Sequence, residues 1–337
     1  MSFTFDVLRG TQDGKVLSDR VTKTLEPNDV YVEITHSGLC GTDEHFLGAG
    51  VAAGRVLGHE GIGIVKQLGS AVTGIKVGDR VGLGYIHKYC GHCENCLTGW
   101  DQYCNNKKVY GMNDPDVGTF GRGAVWDADC VFPIPDGMDS TDAAPLVCAG
   151  GTVWEALSAY GAQANDRVGI LGVGGLGHLA IKLAAAIGCH VVVLSSSESK
   201  REEAMSFGAS EFRVFRSGDA LEGFKPLKYL LVAGSAAIDY NSLIPLMAAR
   251  GTIFPLTVED KPNSVPLLPM LLGGIRIQGT FIFSRHRMHQ LLEFCAAKNI
   301  KPTTMEFPMT VDGTEEALQK LRTGKIRYRA VLVRPSA

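Results

Sequence analysis

The stretch from Asp166 to Ala204 constrains the fold more than any other. Arg167 to Leu171 is an apolar run of strand length that leads straight into Gly172-Val173-Gly174-Gly175-Leu176-Gly177, an Ala-, Leu- and Ile-rich segment, and a second apolar run ending at Ser195. Missing side chains let the backbone turn tightly and approach a pyrophosphate, whose charge a following helix N-terminus favours. A bare GxGxxG is also compatible with an ordinary turn. Here strand, glycine turn, helix and strand follow in order, which predicts a parallel βαβ unit with a dinucleotide site.

The end of the second strand selects the dinucleotide. A cofactor without a 2′-phosphate calls for an Asp or Glu there, to bond the ribose hydroxyl. This chain instead has Ser195, Ser196 and Ser197, with Lys200 and Arg201 behind them. Hydroxyls and cations hold a 2′-phosphate that an acidic residue would repel, so NADP(H) is expected. Glu198 is the dissenting charge, and a solvated turn opening a helix is the plainer reading of the same residues.

The sharpest local signal is Cys90, Cys93, Cys96 and Cys104, separated by two, two and seven residues. Four thiolates on such short loops close a tetrahedral shell, giving zinc a structural site with no open position. An iron–sulfur cluster is the rival occupant, and unrelated buried cysteines are the bland alternative. A second candidate centre lies between Leu39 and Glu60, where Cys40, His59 and Glu60 supply a thiolate, an imidazole and a carboxylate. Cys148 is a further soft ligand. Catalytic zinc takes three protein ligands and keeps one position open, which this set satisfies. A lone Cys is more often a small buried apolar residue, but Thr42, Asp43 and His45 crowd around Cys40.

With 337 residues, about two domains are expected. A net charge of -2 provides no basic footprint for nucleic acid or a membrane surface. No apolar run is long enough to span a bilayer, and the first residues lack the pattern of a signal peptide. Nine cysteines in such a chain point to metal or free thiols rather than a disulfide framework, so a cytoplasmic location is expected. Residues 5 to 35 alternate apolar and polar, most clearly at Val30 to Ile34, and predict strands with a turn at Glu26–Asp29. Short runs punctuated by Gly, Asp and Pro extend a compact all-β portion to about residue 135. From Ser140 onward a helix with a Pro-Gly interruption is followed by strand-length runs alternating with helical ones.

In these motifs the chain resembles zinc-containing medium-chain alcohol dehydrogenases, most of all their cinnamyl alcohol dehydrogenase branch. The resemblance rests on Cys40-Gly-Thr42-Asp43, Gly58-His59-Glu60, the four-cysteine loop and Ala144-Pro-Leu-Val-Cys148-Ala-Gly-Gly-Thr152-Val. It also rests on Gly172 to Gly177, Ser195 to Ser197 with Lys200, and Leu291-Leu-Glu-Phe-Cys295, in family order over nearly the whole length. It implies an α/β protein: a β-rich, GroES-like catalytic domain over 1–150 and 285–337, and a doubly wound Rossmann domain over 151–284, with the active site in the cleft. It implies two zinc ions per chain, the catalytic one on Cys40, His59 and Cys148 with Glu60 able to join or leave. Asp43 would orient His59, Thr42 and His45 would relay the substrate proton, Thr152 would lie against the nicotinamide, and Arg329 would reach the cofactor phosphate.

The resemblance further implies a homodimer and a small alcohol or aldehyde as substrate. Its pocket would draw on Phe46, Tyr85, Tyr110, Leu271, Leu272, Phe281 and Ile282, although aromatic residues there are equally at home in a core. Gly41 stands where relatives often carry a larger or basic residue, residues 47 to 57 lack a proline common in the family, and Tyr110 replaces a frequent tryptophan. Two other functions fit the fold: an NADPH-dependent reductase of activated C=C or iminium bonds, and a non-enzymatic cofactor-binding protein. Intact Thr42, His45 and metal ligands favour carbonyl chemistry.

Overall fold

The structure, a computed structural model, describes residues 1–219, 221–234, 237–258 and 262–335. The chain divides into two compact units, Met1–Gly151 with Ile282–Ala337, and Thr152–Phe281. The crossings fall one residue after the expected 150/151 boundary and three residues before the expected 284/285 boundary.

The first unit is built on the strand Asp29–Leu39, whose alternation puts Val30, Val32 and Ile34 wholly out of solvent. Each such side chain contributes about 1.5–3 kcal/mol on burial. Before it, Glu26 and Asp29 close the expected turn through Asp29 N to Glu26 O (3.1 Å) and Glu26 N to Asp29 Oδ2 (3.0 Å). The strand pairs antiparallel with Gly61–Leu68, Gly123–Asp127 and Arg329–Val333. Thr304–Pro308 and the strands Arg80–Leu83 and Val131–Pro133 complete a seven-stranded sheet. The C-terminal strand therefore returns to the first unit, with Ala330 opposite Leu39. The all-β expectation misses the helical elements of this stretch, the longest being the helix Gly41–Gly48, with shorter turns at Glu94–Leu97, Asp101–Tyr103 and Ala128–Cys130. The N-cap sequence of Gly41–Gly48, Cys40-x-x-Asp43, is a capping box, with a cysteine where serine or threonine is usual.

In the second unit six parallel strands run in the order Glu211–Val214, His190–Ser195, Arg167–Leu171, Leu227–Val232, Met247–Pro255, Arg276–Ile277. In chain order this is 3-2-1-4-5-6, the doubly wound dinucleotide topology. Val191 to Leu194 have no exposure, as a strand covered on both faces requires. The order reverses between Arg167–Leu171 and Leu227–Val232. There a Cβ on Gly172 would lie 2.7 Å from Gly234 Cα, so glycine lets the two strand ends approach closely at the switch point where such sheets take their ligands.

His87, on the short strand Ile86–Lys88, is a buried titratable group that belongs to neither candidate metal cluster. It packs edge-on against Trp126, its Nε2 has no partner, and burial pushes its pKa down to about 4. The unfolded chain, at about 6.5, takes up this proton first. Stability tied to neutral His87 is thus intact above pH 6.5 and lost as pH falls toward 4. The free-energy difference between wild type and His87→Gln should change by roughly 2–3 kcal/mol over that window in urea titrations, and a pH-independent difference would exclude this role for His87.

Candidate metal and cofactor sites

Strand pairing explains how ligands far apart in sequence meet. Ser37 pairs with Gly61, so Cys40 at the end of one strand faces His59 and Glu60 at the start of its neighbour. Cys148 arrives from a helix that Pro145 disturbs: α-helix to Pro145, a π turn over Leu146–Gly150, then α-helix from Gly151. Such π turns recur at functional sites because they re-aim one side chain. Gly82 admits this turn to the sheet, since a Cβ there would meet Val147 Cγ1 at 2.7 Å.

Donor atoms of Cys40, His59, Glu60 and Cys148 all lie within 4.8 Å of one another. Two ligands on one zinc, at bonds of about 2.0–2.3 Å, are separated by at most about 4.6 Å, close to the spread of this cluster. Asp43, wholly buried, accepts four hydrogen bonds: Cys40 N to Oδ2 (2.9 Å), and to Oδ1 from Tyr110 Oη (2.8 Å), Gly58 N (3.2 Å) and His59 Nδ1 (3.2 Å). Fixing Nδ1 this way turns the lone pair of His59 Nε2 inward, and that atom is buried with no partner. Glu60 Oε2 is likewise buried without one, while Glu60 Oε1 accepts from Arg329 Nη2 at 2.5 Å. Gly38 makes room for this carboxylate, because a Cβ there would lie 1.9 Å from Oε2.

Charge points the same way. A hydrogen bond from Cys148, helped by His59 against the cost of burial, draws the Cys40 thiol well below the usual range, and Cys148 is held well above it by donating that bond and by burial. Without a cation one sulfur ionises at the other's expense; a divalent ion lets both do so. Burial works against a charged His59, but Asp43 and Cys40 overcome it and raise the imidazole. Burial also pushes Glu60 up to about 7, with Arg329 opposing. Two thiolates and an inward imidazole nitrogen fit zinc.

The second cluster is local. Cys93 caps the helical turn Glu94–Leu97, and Cys104 follows a 3₁₀ turn at Asp101–Tyr103. Sulfur separations of 3.5 Å (Cys93–Cys96 and Cys104–Cys90) and 3.9 Å (Cys90–Cys96) are far too long for disulfides and suit four ligands of one ion. Backbone hydrogen bonds from His92 and Cys93 draw Cys90 down to about 6, and burial pushes Cys96 up to about 12, again a set that ionises fully only around a cation. Asp101 ties this lobe to the helix Arg285–Lys298, accepting from Arg285 N (3.0 Å) and Arg285 Nε (2.8 Å).

The glycine turn fits a dinucleotide. Gly172 has φ +96°, a Cβ on Gly177 would strike Gly172 O at 1.9 Å, and one on Gly174 would meet nothing within 4 Å, leaving the backbone open to a ligand. Gly175 and Leu176 lead into the helix Gly177–Ile187. Ser195 ends its strand buried, while Ser196 and Ser197 are exposed, with Ser197 capping the next turn. Glu198 forms an ion pair with Arg201, whose guanidinium also stacks on Phe212. The dissenting carboxylate is therefore neutralised, and Arg201 is engaged locally rather than displayed beside the serines. Lys200 reaches Glu203 at 3.5 Å.

Other expected site residues are placed less uniformly. Thr42 Oγ1 lies 3.7 Å from Cys40 Sγ, and His45 is exposed one turn further along the same helix. Thr152 is the second residue of the helix Gly151–Ser158 after the π turn. Tyr85 packs edge-on against His59 (5.4 Å), and Phe46 stacks on Tyr110 (5.8 Å). Tyr110, expected in the pocket wall, is 1% exposed, and its hydroxyl is spent on Asp43 and Gly58; it supports the metal site from behind. Burial and Asp43 hold this phenol well above its ordinary range, so it stays a donor. Leu271 and Leu272, also expected in the pocket, are 78% and 81% exposed on the short helix Leu267–Gly273. Phe281 and Ile282 are half-buried, Ile282 at φ +38°. Arg329, expected to reach a cofactor phosphate, is buried against Glu60. Gly38 and the Glu60–Arg329 pair were not anticipated; the only sequence sign of Gly38 is its glycine two residues before Cys40.

Metal donors of these two kinds and a 3-2-1-4-5-6 sheet with an open glycine turn, joined in one chain, define a zinc-binding dehydrogenase. Residues 26–136 match the alcohol dehydrogenase GroES-like domain, and residues 175–297 match the zinc-binding dehydrogenase domain. Cinnamyl alcohol dehydrogenase 1 of Ocimum basilicum is 37% identical over 320 residues, 91% of this chain and 88% of that protein. NADP-dependent alcohol dehydrogenase C 1 of Mycolicibacterium smegmatis is 34% identical over 323 residues, 92% of this chain and 91% of that protein. The structure of a cinnamyl alcohol dehydrogenase from Sorghum bicolor superposes with a TM-score of 0.92 at 29% identity, over 98% of each chain. The chain belongs to the zinc-containing medium-chain alcohol dehydrogenase superfamily, in its cinnamyl alcohol dehydrogenase-like branch.

Elemental analysis should find two zinc ions per chain. Cys96→Ala should lose one zinc together with much of the fold, because structural sites couple metal binding to stability. Cys40→Ala should lose the other zinc and all turnover while keeping its circular dichroism. One metal in the wild type, or iron, would contradict the assignment.

Proposed function

We propose that this NADP(H)-dependent zinc alcohol dehydrogenase reduces bulky apolar aldehydes, aromatic or α,β-unsaturated, to primary alcohols and leaves the C=C bond intact. The observation that carries the proposal is the buried donor cluster of Cys40, His59 and Cys148, with His59 Nε2 unpartnered and Tyr85 packed against the same ring. When bound, zinc supplies a Lewis acid for the substrate oxygen and NADPH supplies the hydride. Every other task falls to side chains. Asp43 orients His59, and the Glu60–Arg329 pair balances charge beside the two sulfurs. Thr42, next to Cys40 Sγ, passes a proton to the new alcohol oxygen, and exposed His45 on the same helix replenishes it from solvent, a task suited to imidazole near neutral pH. Phe46, Tyr85 and Ile282 favour an apolar substrate body over a charged one. Thr152 serves the nicotinamide.

Ser195, Ser196, Ser197 and Lys200, with no acidic residue at the strand end, support NADP(H) as the preferred cofactor. The family resemblance and the exposed Leu267, Leu268, Leu271 and Leu272 support a homodimer. Nine cysteines, none of them in a disulfide, agree with a cytoplasmic setting.

Incubation of a cinnamyl-type aldehyde with NADPH should give the unsaturated alcohol, identified by mass and NMR. NADPH should exceed NADH in kcat/KM by at least about tenfold, and Ser196→Asp should reverse that order through repulsion of the 2′-phosphate. Saturated aldehyde as main product would transfer the function to C=C reduction. Equal kcat/KM for the two cofactors would exclude the serine cluster as a 2′-phosphate site.

A further inference from the structure

Tyr110 combines three properties that a pocket residue does not. It is 1% exposed, so it offers a substrate almost no surface. Its ring is clamped between Phe46 (5.8 Å) and the metal-facing imidazole of His59 (4.7 Å, 32° between planes). Its hydroxyl makes the shortest of the four hydrogen bonds to Asp43, 2.8 Å to Oδ1, and accepts from Gly58 N at 3.1 Å. Gly58 N also donates to that same Oδ1, so phenol, amide and carboxylate form a closed triangle directly before His59 in the chain.

The placement is over-determined. Tyr110 N donates to Tyr85 O at 2.9 Å, and Gly111 takes φ +73° with no side chain where Phe46 packs, since a Cβ there would meet Phe46 Cε2 at 2.4 Å. All side chains involved are held by packing and belong to the same compact unit.

We infer that Tyr110 is a positioning residue for the catalytic zinc: its hydroxyl fixes Asp43, and through Asp43 the ring of His59, so the hold on the metal and its ligand field depend on a residue that touches neither metal nor substrate. The inference rests on the reading of Cys40, His59 and Cys148 as zinc ligands. Asp43 Oδ1 serves three donors, and the His59 Nδ1 bond, at 3.2 Å, is one of its two longest. Removing the phenol leaves Oδ1 free to turn on its two remaining donors and leaves Gly58 N with one acceptor instead of two. Loss of a partner that orients a ligand typically weakens metal binding by about 10–100-fold.

The test compares holoenzymes of wild type and Tyr110→Phe, which differ by one oxygen. A chromophoric chelator should strip one zinc from the variant about 10–100-fold more readily than from wild type, while the four-cysteine zinc, an internal control in the same molecule, is released at the wild-type rate. Cobalt placed in the catalytic site should show shifted d–d bands in the variant. 4-Aminophenylalanine at position 110, which keeps a donor at nearly the same place, should restore both readouts to within about threefold of wild type, and it carries the test alone if the phenylalanine variant does not fold. Zinc release and a cobalt spectrum in Tyr110→Phe identical to wild type would overturn the inference, as would a 4-aminophenylalanine protein that loses zinc about tenfold faster or more. A wild-type protein that holds zinc only on its four cysteines would overturn the ligand reading itself, a different outcome.

Discussion

One buried carboxylate organises the Cys40, His59, Glu60 and Cys148 cluster. Asp43 has no exposure, yet it accepts hydrogen bonds from Cys40 N, Gly58 N, His59 Nδ1 and Tyr110 Oη. Burying a charge is costly unless it is fully hydrogen-bonded, and bonds to charged groups contribute about 1.5–3 kcal/mol each. The same four bonds tie together the N-cap of a helix, the loop before a strand, the imidazole of His59 and a distant tyrosine. Stability and metal geometry are therefore one problem here: loosening Asp43 unsettles Cys40 and His59 together.

Around that centre the sheet brings in what the local chain cannot. The C-terminal strand pairs with Asp29–Leu39, and this register sets Arg329 beside Glu60, 269 residues away in sequence. Arg329 balances a carboxylate that burial alone would leave uncharged near neutral pH, and Gly38 provides the space that carboxylate occupies. In the other unit the glycines play the opposite part. Gly172 and Gly177 allow close approach of backbone to backbone, and Gly174 leaves the backbone bare toward a ligand.

What was legible in the sequence was local or periodic. That Cys90, Cys93, Cys96 and Cys104 gather in one cluster was legible because short loops leave them little choice, and the strand–turn–helix around 172–177 was legible because its parts are contiguous. The alternation at Val30, Val32 and Ile34 fixed a strand face for the same reason. Side-chain direction after long-range packing was not legible. Tyr110 turns its hydroxyl to Asp43 rather than lining a pocket, and Leu271 and Leu272 lie in the open. Nor did a single sequence reveal that Pro145 would widen the helix into a π turn at Cys148; it showed only that the helix must be interrupted.

If Cys40, His59 and Cys148 hold zinc, Asp43 builds that site and leaves the four-cysteine site untouched. Zinc content per folded chain of Asp43→Ala, measured after exchange against a mild chelator, tests it most directly. The account predicts one zinc per chain, held by Cys90, Cys93, Cys96 and Cys104, in a protein whose circular dichroism still shows both units folded. Two zinc ions per chain, released from the variant no faster than from wild type, would contradict it.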